Sequence, residues 1–179
     1  MVIKFAVTLC SLIISGCAGA GIEGVNIARD KLIINDNLTL AMQGDAEAQY
    51  KVGNAYCCSP KEETGRFYNT KLSVDWLCAS AHQGHSPAMY KLGKIFSGDV
   101  VDGVRLLRRA AMSIAGSTTN PAIAYTWLRQ AADQGVEEAR VEADTVWSDL
   151  SQLERLNATE SWKKGLNAPC LWDDVMGNH

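Results

Sequence analysis

The chain has 179 residues, 17 basic and 20 acidic, with a formal net charge of −3. With residues 1–16 set aside as a leader, enough remains for one domain with a continuous core. A mildly acidic chain with no basic stripe has little with which to neutralise a phosphate backbone, which argues against nucleic acid as a partner.

Lys4 supplies a positive start, Phe5 to Ile14 form an apolar run, and Ile14-Ser15-Gly16-Cys17 follows. This is the pattern of a secretory signal peptide, and the run is shorter than the roughly 20 residues a permanent membrane helix needs. Ile14-Ser15-Gly16-Cys17 resembles the bacterial lipobox, in which the cysteine becomes the lipidated first residue of the mature protein. The resemblance implies that residues 1–16 are removed, that Cys17 carries the acyl chains and that residues 17–21 are a tether. Each buried methylene contributes roughly 0.8 kcal/mol, so the lipid alone would hold the protein on a membrane and the polypeptide need not touch it. Ala18 stands where an aspartate signals inner-membrane retention; by resemblance, the address is the periplasmic side of the outer membrane.

Residues 22–166 read as one helical domain, beginning with a capping segment from Ile22 to Met42. Ala41-Met42-Gln43-Gly44, Ala81-His82-Gln83-Gly84 and Ala132-Asp133-Gln134-Gly135 then share the form Ala-x-Gln-Gly, with Gly44 to Gly84 spanning 40 residues and Gly84 to Gly135 spanning 51. Such self-similarity marks a repeat architecture, with units at about 44–84, 84–135 and a degenerate 135–166. In the first unit Ala48, Val52, Ala55 and Tyr56 recur at helical spacing, and Val74, Leu77 and Ala81 do so in its second half. In the second unit Ala88 to Phe96 copies Ala48 to Tyr56, and Ala124, Trp127, Leu128 and Ala131 form the second helix. Ser86-Pro87 and Asn120-Pro121 place a capping oxygen before a proline at the first helical position, and Gly84 and Gly135 sit where helices stop in a left-handed residue.

Gly53 and Gly93 fall inside first helices, where glycine costs about 1 kcal/mol relative to alanine. Recurrence of that cost suggests a close approach of the partner helix, with small residues such as Ala79 and Ala132 facing the glycines. Trp76 and Trp127 occupy equivalent positions and read as core. Ser97 to Gly116 is an inserted amphipathic stretch with Arg105, Arg108 and Arg109 mostly on its polar side. Val136 to Leu166 reads as a C-terminal cap, since end repeats need a polar outer face, and 167–179 as a tail.

Ala-x-x-x-Leu-Gly-x-x-Tyr followed by Trp-Leu-x-x-Ala-Ala-x-x-Gly, carried by Ala88 to Phe96 and Trp127 to Gly135, resembles the Sel-like repeat, a relative of the tetratricopeptide repeat. The likeness spans about residues 40–148 and implies an all-α fold, a short α-solenoid of antiparallel helix pairs. The first unit departs from the family in its turn, where Ser59 to Gly65 replaces a Gly-x-Gly-Val.

Cys10 leaves with the leader and Cys17 is lipidated, so Cys57, Cys58, Cys78 and Cys170 remain. An even number of thiols in an oxidising periplasm reads as disulfides. A bridge from Cys57 or Cys58 to Cys78 would close a loop of about 20 residues and contribute roughly 3 kcal/mol. The adjacent pair is not expected to bridge to itself; one member is expected to join Cys78 and the other to reach Cys170 or stay free.

No nucleophile elbow, P-loop, dinucleotide turn or His-Glu-x-x-His helix is present. Cys78 and His82 lie one helical turn apart with His85 following, but His85 falls beyond the helix-ending Gly84, and no metal, cofactor or small-molecule substrate is expected. The expected function is non-catalytic: a membrane-tethered binder of another protein through the surface lined by first helices. Gln49, Asn54, Met89, Lys94, Arg105, Arg108 and Arg109 are the candidate contacts. The family resemblance includes immunity proteins that neutralise secreted antibacterial effectors such as phospholipases; the alternative is a scaffold or adaptor in envelope assembly or signalling.

Overall fold

Three copies of one four-residue string turn out to be three copies of one helix stop. In a computed structural model that describes residues 24–58, 67–99 and 119–177, Gly44, Gly84 and Gly135 all take a left-handed conformation, with φ of +96°, +86° and +92°. After each, the next backbone N–H reaches back over the last turn: Asp45 donates to Leu40 O at 3.0 Å, His85 to Ser80 O at 3.4 Å and Val136 to Ala131 O at 3.1 Å. An L side chain in that conformation costs roughly 1–2 kcal/mol, which is why glycine follows the glutamine each time. The leader, Cys17, the first-unit turn from Ser59 to Gly65 and the three arginines Arg105, Arg108 and Arg109 lie outside the described residues.

The helix starts are equally local. The helix over 24–42 is α1. Asp45 accepts from Ala48 N–H at 2.7 Å to open α2 (Ala46–Tyr56), and Asn69 from Leu72 N–H at 2.9 Å to open α3 (Thr70–Ala81). Asn120 opens α5 (Pro121–Asp133) through Ile123 N–H, as its spacing before a proline suggests. For α4 (Ser86–Ser97) the cap sits one residue earlier than the sequence implies: the Nδ1 of His85 accepts from Ala88 N–H at 3.3 Å, and Ser86 and Pro87 are already helical. Two further helices follow, α6 (Glu137–Asp149) and α7 (Gln152–Lys163), the latter opened by a reciprocal Ser151–Glu154 capping box. A 3-10 turn (Gly165–Asn167) and a short α8 (Trp172–Met176) end the chain.

All regular structure among the described residues is helical, and consecutive helices pack in sequence from α2 to α5, with α5 against both α6 and α7. This is the short solenoid of helix pairs that the repeats imply. Its core runs through the middle: Val74, Leu77, Leu92, Ile95, Phe96, Trp127 and Leu128 are fully buried. Gly53 and Gly93 do mark close approaches, but the facing residues are leucines, not Ala79 and Ala132. A Cβ on Gly53 would lie 2.8 Å from the Leu77 side chain and 3.0 Å from Ser73 O, and one on Gly93 would lie 2.5 Å from Leu128 Cγ. Two helices can approach this closely only where one of them has no side chain.

The cysteines pair differently from the expectation. Cys57 and Cys58 are bonded to each other across a cis peptide, with Cα atoms 3.1 Å apart, and Cys78 is bonded to Cys170, Cα atoms 5.5 Å apart. Cys78 leaves the adjacent pair because its face of α3 is covered by the C-terminal segment, which delivers Cys170 to it. That segment, expected to be a tail, is a strap along the second helices. Its Ala168 and Cys170 are buried, Pro169 O accepts from Trp127 Nε1 at 3.0 Å, and Trp172 N–H donates to Asp75 Oδ1 at 3.1 Å. Lys71 and Asp173 form an ion pair further along.

Candidate functional site

With the second helices of the first two pairs, α3 and α5, occupied by the strap, the surface to examine is formed by the first helices α2, α4 and α6. It is tied from one pair to the next by polar side chains. Because Nδ1 of His85 accepts the capping N–H, Nε2 carries the proton, and it donates to Glu47 Oε2 on α2 at 2.8 Å. The Tyr50 ring lies against that imidazole, centroids 5.0 Å apart, and Lys51 adds an ion pair to Glu47 at 3.3 Å. The hydrogen bond from His85, helped by the bond and charge of Lys51, holds the Glu47 carboxyl below its ordinary range.

The next junction repeats the logic with other residues. Tyr90 on α4 donates to Glu142 Oε1 on α6 at 2.6 Å, and Lys94, 18% exposed, bridges Glu142 at 3.3 Å and Asp99 at 3.0 Å. Partial burial, then the hydrogen bond and negative charge of Glu142, push the Tyr90 phenol up to about 12. Burial works against the Lys94 charge, but the hydrogen bond to Asp99 and the charges of Glu142 and Asp99 outweigh it and hold the ammonium above its usual range. Around these groups, Glu47 and Lys51 are about half exposed and Val141 is 64% exposed.

The expected contact residues divide. Lys94 is on this surface, half-buried among acidic partners, and Asn54 is half-buried in the last turn of α2. Gln49 and Met89 are corrections: both are buried, Met89 fully. They hold equivalent positions, and each is covered by the glutamine of its own unit. Gln83 Nε2 donates to Gln49 Oε1 at 2.7 Å, and Gln134 Nε2 approaches Met89 Sδ at 3.5 Å. Gln49 Nε2 in turn donates to Ala41 O at 3.1 Å. The glutamine of Ala-x-Gln-Gly thus closes each pair, and the residue under it is interior. Sequence reasoning did not place Glu47, His85, Tyr90 or Glu142 on this surface; Tyr90 and Glu142 are 52 positions apart, and only the fold brings them together.

A cleft of about 290 Å³ opens where the end of α5 meets the start of α6, lined by Arg129, Ala132, Asp133 and Arg140. Its guanidinium groups are already matched, Arg129 by Asp133 at 3.2 Å and Arg140 by Glu137 at 3.2 Å, and Trp162 Nε1 also donates to Asp133. It is a polar surface depression with its charges internally paired. Among the described residues no helix is long and apolar enough to cross a membrane.

The Sel1 repeat family model matches residues 46–85, 86–113 and 114–136. It divides what the glycine spacing presents as one long second unit into two, and stops before α6. No curated protein and no solved structure matches the chain. Helix stops, close-approach glycines and the family match agree over the same stretch: the chain belongs to the Sel1 repeat family, whose repeats generally mediate protein–protein interaction in proteins that are typically non-enzymatic adaptors.

Proposed function

We propose that this is a non-catalytic, lipid-anchored periplasmic protein, tethered through Cys17 to the outer membrane, that captures a protein partner on the side of α2, α4 and α6. One observation carries the choice of side: the strap occupies the second helices α3 and α5, whereas the first helices present the exposed Glu47 and Lys51 at the His85 junction and the exposed Val141 next in sequence to Glu142. Mixed charge with one exposed valine suits a partner that exchanges hydrogen bonds and packs an apolar side chain against Val141.

The most specific form of the reading is an immunity protein that neutralises a secreted antibacterial effector, such as a phospholipase. A tether at the place where the effector arrives raises the effective concentration of the inhibitor there. The test is to mix the purified chain with the product of each adjacent gene. A stable one-to-one complex that abolishes effector toxicity supports immunity. Capture of envelope-assembly proteins, with no effector beside the gene, replaces it with a scaffold. The anchor is tested separately: a radiolabelled fatty acid should enter the protein and should not enter Cys17→Ser.

A further inference from the structure

Four groups meet where the strap crosses the end of α3. His82 closes that helix, its backbone N–H donating to Cys78 O at 3.0 Å, so Cys78 and His82 share one face a turn apart. The strap brings in Cys170 and the carbonyl of Ala168. His82 Nε2 lies 3.1 Å from Cys170 Sγ, 3.8 Å from Cys78 Sγ and 3.1 Å from Ala168 O. The two sulfur atoms and the imidazole nitrogen all fall within 4.8 Å of one another, with both cysteines buried and His82 exposed. Sequence spacing pairs Cys78 and His82 with His85; the fold instead commits both nitrogens of His85 to Ala88 and Glu47 and supplies Cys170.

We infer that, in its thiol state, this cluster is a zinc site formed by Cys78, His82 and Cys170. Zinc takes thiolate sulfur at about 2.3 Å and imidazole nitrogen at about 2.0–2.1 Å in a tetrahedron, which sets nitrogen–sulfur edges near 3.6 Å and a sulfur–sulfur edge near 3.8 Å. The nitrogen–sulfur distances of 3.1 and 3.8 Å already bracket the first value. The second needs only that the sulfurs part, and rotation about χ1 on Cα atoms 5.5 Å apart provides for that. Two thiolates with one imidazole is a donor set that selects zinc over calcium or magnesium.

The chemistry balances without a reductant, because cysteines are incorporated into the chain as thiols. The cation binds two thiolates, releasing their two protons to solvent. Nε2 gives its lone pair, so the proton it shares with Ala168 O in the disulfide form moves to Nδ1. Water takes the fourth position from the exposed His82 side. Disulfide formation uses the same two sulfurs but removes two electrons with the two protons, to a disulfide-donating oxidant. Metal and disulfide are therefore mutually exclusive closures of one joint, and either would fasten the strap.

The experiment uses the full chain carrying Cys10→Ser, Cys17→Ser, Cys57→Ser and Cys58→Ser, reduced with a phosphine, so that Cys78 and Cys170 are the one thiol pair that remains. Cobalt(II), which shows a thiolate-to-metal charge-transfer band, should bind at one equivalent per chain and be displaced by zinc, with two protons released per zinc. The oxidised chain should give no band, Cys170→Ser should lose most of it, and His82→Ala should weaken binding at least about tenfold, in keeping with loss of a ligand. Absence of the band from the reduced chain, or equal affinity in His82→Ala, overturns the site. Circular dichroism guards against simple unfolding: zinc should raise the melting temperature of the reduced chain, and a reduced chain that stays unfolded with zinc present also overturns it.

Discussion

The two long sides of the helical stack are finished in different ways. Along the second helices, the strap is sewn down by a disulfide, a tryptophan hydrogen bond and the buried Ala168 and Cys170, with an exposed Lys71–Asp173 ion pair beyond them, so its main contacts are desolvated and covalently backed. Along the first helices, neighbouring pairs are joined by exposed or half-exposed hydrogen bonds and ion pairs: His85 to Glu47, Tyr90 and Lys94 to Glu142. Surface pairs of that kind contribute about 0–1 kcal/mol. The difference teaches that the fold depends on one side and can lend out the other, since groups on the first helices can exchange their partners for those of a bound protein without loosening the stack.

The comparison breaks most visibly if the strap is cut loose. Cys78 and Cys170 are 92 residues apart, and removing a cross-link over a loop of that length costs about 4–5 kcal/mol in the chain-entropy model. Cys170→Ser should lower the midpoint of urea unfolding accordingly, expose 168–177 to proteolysis, and leave the affinity for a captured partner unchanged while the protein stays folded. A folded Cys170→Ser protein that no longer binds would place the working surface on the wrong side.

A smaller effect comes from the close approaches inside the stack. A Cβ on Gly93 would meet Leu128 Cγ at 2.5 Å and Cδ2 at 2.7 Å, both tighter than the 2.8 Å side-chain contact at Gly53. Overpacking costs about 1–3 kcal/mol, partly offset by the roughly 1 kcal/mol that alanine gains in a helix. Gly93→Ala should thus lower stability by up to about 2 kcal/mol and by more than Gly53→Ala, measured as paired melting curves. If the two are equal, or Gly93→Ala stabilises, the glycines are not what lets the pairs close.

These glycines show how much the sequence carries. Helix stops at Gly84 and Gly135, the cap at Asn120 and the existence of tight junctions are local features, so a single chain reads them correctly. What faces a glycine across a junction is not local: Leu128 was hidden behind the more obvious alanines. The choice of working face failed at Gln49 and Met89 for the same reason. Helical periodicity gives one buried stripe per helix, but a first helix here is covered from two directions, by its partner and by the glutamine ending its own unit. The strap was invisible because Ala168, Pro169 and Cys170 have no periodicity at all; their burial is conferred by α3 and α5. Cysteine pairing failed through reliance on sequence separation, where the deciding fact is which side of α3 Cys78 occupies.

Substitutions on the first helices sharpen the contrast from the opposite direction. Lys51→Glu and Val141→Asp change exposed side chains and should alter stability by no more than about 0.5 kcal/mol. Together they reverse one charge and remove an apolar anchor, which should weaken a captured partner by about tenfold or more through faster dissociation. Surface plasmon resonance beside a melting curve separates the two readouts. Loss of stability without loss of binding would mean that these residues serve the stack.

The mildest perturbation is a proton. Tyr90 ionises at about 12 in the folded chain, against an ordinary 10, because partial burial, then the hydrogen bond to Glu142 and its negative charge, disfavour the phenolate. A group whose folded value is raised contributes stability that is complete below the unfolded value and is lost as pH rises through the folded one. The stability contributed by this link between α4 and α6 should therefore be complete up to about pH 10 and be lost between about 10 and 12, as the unfolded tyrosine ionises before the folded one. Phenolate absorbance, taken as the difference between the wild-type chain and Tyr90→Phe, should show this tyrosine titrating late. In Glu142→Gln the negative charge is gone, and the same difference curve should move toward lower pH, though not all the way to 10, since burial remains. A curve that does not move would show that Glu142 has little hold on Tyr90, and that the first-helix side is joined at this point by packing, as the second-helix side is.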